Sequence, residues 1–108
     1  MNRRAAQRHP VSLVASLTHD GVTSPCVVVD LSLGGALIAT PHALTMGRVV
    51  ALEFSVSTMP EPIVVDATAR WSTLDGVGVQ FGGMRAREVW ALGKYLRLVA
   101  YRTDRMPA

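Results

Sequence analysis

A chain of 108 residues is one domain's worth of sequence, and with 49% hydrophobic and 18% charged residues it belongs to the globular class. Its single cysteine, Cys26, excludes an intramolecular disulfide and points to a reducing compartment. The net charge of +3 is unevenly held: residues 1–9 carry +3, residues 10–69 carry −4 and the remainder carries +4.

Residues 1–10 show no apolar periodicity and are expected to form a mobile N-terminal arm. Strand signals then dominate residues 11–82. "VSLVASLT" alternates like a half-buried strand and ends in the turn signal "HDG". "VTSPCVVVDLS" is the second strand, its early Pro25 suggesting an edge or a bulge. "GALIAT" and "RVVALEFSVS" follow, joined through "PHALTMG"; "IVVDATARWST" and "GVGVQF" complete the set around the turn "LDG". Six short strands at this spacing predict a mostly-β fold, an antiparallel barrel or sandwich. From Met84 the period changes. Val89, Leu92, Leu96 and Val99 recur at helical spacing, with Arg85, Glu88, Lys94 and Arg97 mostly off that stripe. The expected helix covers residues 83–101, packed on the barrel, with a tail at 102–108.

No segment reads as a membrane span or an export signal. The apolar part of the N-terminal twenty residues is short, and the uncharged stretch from Leu31 to Gly47 is broken by Gly34, Gly35 and Pro41. A cytoplasmic protein without membrane insertion is expected. Enzymatic readings lack parts. His9, His19 and His42 fall in the arm, a turn and a loop, metal-type spacing is missing, and Gly34–Gly35 is followed by neither a lysine nor a helix, unlike a P-loop. A non-catalytic role with no cofactor is the expectation.

Two motifs contain residues that sheet-building does not require. "RRAAQR" places Arg4 and Arg8 four apart, with Arg3 beside them, just ahead of the first strand. A solvated basic tail would also account for it. "DLSLGG" places Asp30 and Ser32 two apart at a strand end, so that extended backbone would turn both side chains to one face. Gly35 follows, where a missing β-carbon lets a ligand approach the backbone or permits positive φ. An Asx-type turn with a glycine bulge would also fit this motif.

Taken together, RxxxR in a short arm and DxSxxG at a strand end some twenty residues later resemble the PilZ domain family. The resemblance extends to "ARWSTLDGVGVQF", which looks like that family's last two strands and the turn between them. It implies a six-stranded antiparallel β-barrel with a C-terminal α-helix. It also implies a ligand, the bacterial second messenger cyclic di-GMP, held by Arg4, Arg8, Asp30, Ser32 and Gly35. The residue chemistry suits that ligand. A guanidinium fork matches guanine O6 and N7 and the phosphates, and a carboxylate such as Asp30 can accept from guanine N1–H and N2–H₂. Ser32 can bond the ligand or hold the loop. In proteins that this chain resembles, an arginine at the position of Arg3 accompanies two intercalated ligand molecules instead of one, so two per chain are expected. The implied mechanism is an arm that orders over the ligand and changes the surface shown to a separate downstream protein. The family's processes are motility, exopolysaccharide production, biofilm formation and development.

Two rival readings remain at this point. A small basic barrel could bind RNA or single-stranded DNA, but Phe54, Trp71, Phe81, Trp90, Tyr95 and Tyr101 are the only aromatics, and no RNP-like run assembles a stacking platform. A PilZ-like module could instead serve protein interaction alone, without ligand.

Overall fold

The computed structural model describes residues 7–105, with side chains to Arg102. Six antiparallel strands, β1 (His9–His19), β2 (Val22–Leu31), β3 (Gly35–Ala39), β4 (Val49–Phe54), β5 (Ile63–Thr73) and β6 (Gly76–Phe81), precede one helix, α1 (Ala86–Arg105). The strands close into a barrel in the order β1-β2-β3-β6-β5-β4. Closure rests on the pairing of β1 with β4, from Ala15↔Phe54 to Thr18↔Ala51. The expected fold class is the one observed.

Local chemistry accounts for the hairpins. Asp20 and Gly21 both have positive φ, 53° and 75°, as a two-residue I′ turn requires, and His19↔Val22 is the last pair beneath them. Leu74 and Asp75 form the β5–β6 tip, where the Thr73 hydroxyl accepts from the Asp75 amide at 3.1 Å. Pro25 lies opposite Ser16 of β1, beyond Val27↔Ala39, where β3 no longer covers the other side of β2. Its missing N–H therefore breaks no ladder.

Alternation along the strands fills the barrel. Leu17, Val28, Leu31, Ile38, Leu52, Phe54, Ile63 and Val79 are fully buried, and Phe54 stacks on Phe81 with ring centroids 6.1 Å apart. Cys26 is buried with them, and burial pushes its thiol above the usual range, so it behaves as a small apolar residue. The strand read over residues 48–57 is shorter than its pattern suggests. Ser55–Ser57 leave the ladder after Phe54, although Val56 still turns inward.

Helix α1 adds Ala91, Leu92 and Leu96 to the core, with Tyr95 packed against it. The helix starts at Ala86 and runs to Arg105, later at both ends than the stripe suggested. The stripe itself is displaced. Val89 is 42% exposed, whereas Glu88 is buried. The reason is a cap. Glu88 stands at the third helical position, and its carboxylate accepts from the Arg85 amide at 3.1 Å and from the Arg85 guanidinium at 2.9 Å. That guanidinium contact holds the carboxyl below its ordinary range against the opposing push of burial, helped by the amides of Arg85 and Val64.

Glu88→Ala should therefore cost about 1 kcal/mol of stability at neutral pH, the usual size of a lost cap, whereas Glu88→Gln retains most of it. A carboxyl whose folded pKa is depressed stabilises above its unfolded pKa and loses that contribution as pH falls through the folded value. Urea denaturation of wild type and Glu88→Ala should accordingly converge in strong acid. A gap of constant size down to the acid limit would contradict the cap.

Candidate ligand site

Strand β1 begins at His9, inside the segment read from sequence as the arm, and its first pairs are His9↔Leu31 and Pro10↔Asp30. The register then shifts between Pro10 and Leu13, and β2 shifts against β3 between Val28 and Asp30. A bulge re-aims side chains locally. Here two of them meet where Arg8 approaches Asp30, and the Arg8 guanidinium donates to the Asp30 carboxylate at 2.7 Å.

The ladders carry the same line across the barrel's outer surface. Pro10 faces Asp30, Asp30 faces Leu37, Leu37 faces Gly78 and Gly78 faces Trp71. Gly78 has a steric reason: a β-carbon there would overlap the Trp71 indole, which lies flat across the position. A third shift, between Ala69 and Trp71, sets that indole in place. Trp71 thereby reaches back to the arm's end, with the Arg8 guanidinium carbon 5.1 Å from the ring centroid. Arg8 is thus clasped by a carboxylate and an aromatic face at once. Beside this clasp, Arg8, Pro10, Val29, Asp30, Leu37 and Asp75 line a groove of about 440 Å³.

Of the residues singled out in the sequence, Arg8 and Asp30 are brought together across 22 positions. Ser32 is not on Asp30's face. It lies past the end of β2, is buried, and turns its hydroxyl into the loop, accepting from the amides of Gly34 at 3.2 Å and Gly35 at 3.1 Å and donating to the Gly35 carbonyl at 3.2 Å. The same carbonyl accepts from the Ser32 amide at 2.9 Å, which closes the loop on itself. Ser32 therefore holds the backbone that follows Asp30. Gly35 does not have positive φ; its constraint is close approach by the barrel, because a β-carbon would overlap the Val79 carbonyl of β6. Arg3 and Arg4 lie outside the described residues.

Sequence reasoning overlooked Trp71, counting it only as a strand aromatic. The signal was present in "RWSTLDGVG", where a two-residue turn sets an aromatic against a glycine across a hairpin, and a ring placed that way covers the glycine. Among the described residues no group of histidine, cysteine, aspartate or glutamate could hold a metal ion. Nor is any described helix long and apolar enough to cross a membrane.

Known structures share this fold. MotI/DgrA, the inhibitor of motility of Bacillus subtilis, superposes with a TM-score of 0.76 at 14% identity, covering 99% of this chain. This chain spans 55% of MotI/DgrA. The PilZ domain of YcgR from Escherichia coli, solved with c-di-GMP, gives 0.63 at 21% identity and covers 97% of this chain and 100% of that one. PlzA of Borreliella burgdorferi, in complex with c-di-GMP, gives 0.67 at 18% identity over 87% of this chain and 41% of its own. No curated protein sequence matches. The family model of the PilZ domain matches residues 2–98, the whole barrel and most of α1, and the chain belongs to that family.

Proposed function

We propose that this chain is a non-catalytic cyclic di-GMP receptor of the cytoplasm that passes its signal to a separate protein. The observation that carries the reading is the Arg8–Asp30–Trp71 clasp beside a groove on the barrel's outer face. Each member has chemistry that a guanine nucleotide uses. Asp30 accepts from guanine N1–H and N2–H₂. Arg8 has five N–H donors, of which the Asp30 bond takes one, leaving donors for O6, N7 or a phosphate oxygen. The Trp71 face, 39% exposed, can support a base or keep Arg8 flat against one. Ser32 and Gly35 contribute by fixing the loop that presents Asp30.

Arg3 and Arg4 supply the remaining guanidinium groups in this reading. Two intercalated ligands bring four phosphates together, and their mutual repulsion calls for more positive charge than two arginines provide. The switch is the ordering of the segment ahead of Arg8 over the ligand. Arg8 itself is already held by Asp30, so the ordering in this reading concerns residues 1–6, which lie outside the described residues.

Calorimetry with cyclic di-GMP tests the reading, with GMP and a short single-stranded RNA as controls. The expected result is saturable binding of two cyclic di-GMP molecules per chain, falling toward one in Arg3→Ala, with far weaker binding of both controls. Tighter binding of the RNA would transfer the protein to the nucleic-acid class. No heat with any of the three would leave a protein-interaction module.

A further inference from the structure

The face of α1 opposite the core is built from residues that a merely solvated helix does not need. Trp90, Leu98 and Tyr101 are 59%, 40% and 58% exposed. At 100° per residue, Trp90, Lys94, Arg97 and Tyr101 fall within a sector of about 60° and run for about 16 Å along the helix. They form a single seam at spacings of four, three and four. Lys94 lies over the Trp90 ring, its ammonium 4.9 Å from the centroid, so the cation and the aromatic are presented together. From Arg87 to Arg102 the only acid is Glu88, which is buried under the helix and bonded to Arg85. The seam itself therefore shows aromatic surface and two cations; the exposed carboxylate near its start, Glu61, is bonded to Arg87, and Asp104 follows three residues after Tyr101.

We infer that this seam is a protein-docking surface, and that its partner offers an apolar groove rimmed by aspartate and glutamate. Three observations select that occupant. The anchors recur at helical spacing, as in helix-in-groove recognition. Tryptophan, tyrosine and arginine are the side chains that most often carry interface energy, and the charge on the seam is all of one sign. The seam also borders the candidate ligand loop, because Leu33, Gly93 and Arg97 line one groove of about 290 Å³. Leu33 follows Ser32 directly, so a partner on the seam sits beside the backbone that presents Asp30. The inference deepens the proposed function and rests on its premise of output through a separate protein.

The test places a photo-crosslinking residue at position 94 or 98 of the full chain in producing cells, with Val14 and Leu74 positions as exposed controls. One protein should be crosslinked from 94 and 98 and not from the controls. That protein, purified, should bind wild type with an affinity that falls about tenfold or more in Trp90→Ala and in Lys94→Glu/Arg97→Glu, and that weakens as salt rises. Reversing acidic residues at the crosslinked spot of the partner should restore binding to Lys94→Glu/Arg97→Glu. Equal crosslinking from the controls, crosslinking to lipid alone, or variants that bind as wild type does would each overturn the inference. Cyclic di-GMP calorimetry on the same variants should be unchanged from wild type. A wild type that docks through the seam yet binds no cyclic di-GMP would refute the receptor reading alone.

Discussion

Gly35→Ala should lower the unfolding free energy by roughly 2–4 kcal/mol, the upper range for a single added methyl group. The added carbon would overlap the Val79 carbonyl, and that carbonyl belongs to a strand locked on both sides. A flexible side chain could swing away; a ladder in a closed barrel can move only by breaking pairs. Gly34 provides the internal control, because a β-carbon there meets nothing within 4 Å and its φ is not left-handed. Gly34→Ala should stay within about 0.5 kcal/mol of wild type. Urea midpoints of the two variants decide the matter, and equal losses would mean that β3 and β6 are not packed as described.

Arg8→Ala should weaken cyclic di-GMP binding by about a hundredfold, and Asp30→Ala by at least about tenfold. A charge-assisted hydrogen bond contributes about 1.5–3 kcal/mol, and each 1.4 kcal/mol is a factor of ten. Arg8 loses such a bond together with its stacking on Trp71, hence the larger figure. The two variants should separate in salt. Removing the guanidinium flattens the salt dependence of affinity, because a phosphate partner is lost, whereas removing the carboxylate leaves that dependence largely intact. Both residues are at the surface, with side chains 39% and 25% exposed, so neither change should threaten the fold. Isotherms identical to wild type in both variants would remove the clasp from the site.

The strands were legible because alternation and turn chemistry agreed. "HDG" supplied the two positive φ values that its hairpin uses, and the inward residues of each strand carried the apolar pattern. The start of β1 was not legible, since "RHPVS" carries a proline and a basic flank that read as loop, yet Pro10 pairs where a bulge relieves the ladder. Glu88 misled for a related reason. A charged residue is assigned to the solvent face until its cap is known, and the cap depends on Arg85 just before the helix. In the candidate site, Asp30 and Arg8 stood out as residues that a sheet does not need. Trp71 did not, because strands welcome tryptophan and only the cross-strand glycine reveals what the ring covers.

The row from Pro10 through Asp30, Leu37 and Gly78 to Trp71 draws on five strands, separated by most of the chain. No fragment shorter than the closed barrel contains it. During synthesis, a ribosome must therefore release the chain past Phe81 before any groove exists, even though the arginines emerge first. A ligand of this groove recognises only finished molecules, and it shifts the folding equilibrium by an amount set by its concentration relative to its dissociation constant. If the proposed ligand occupies this groove, a rise in its concentration would raise the stability of the folded barrel and a fall would lower it.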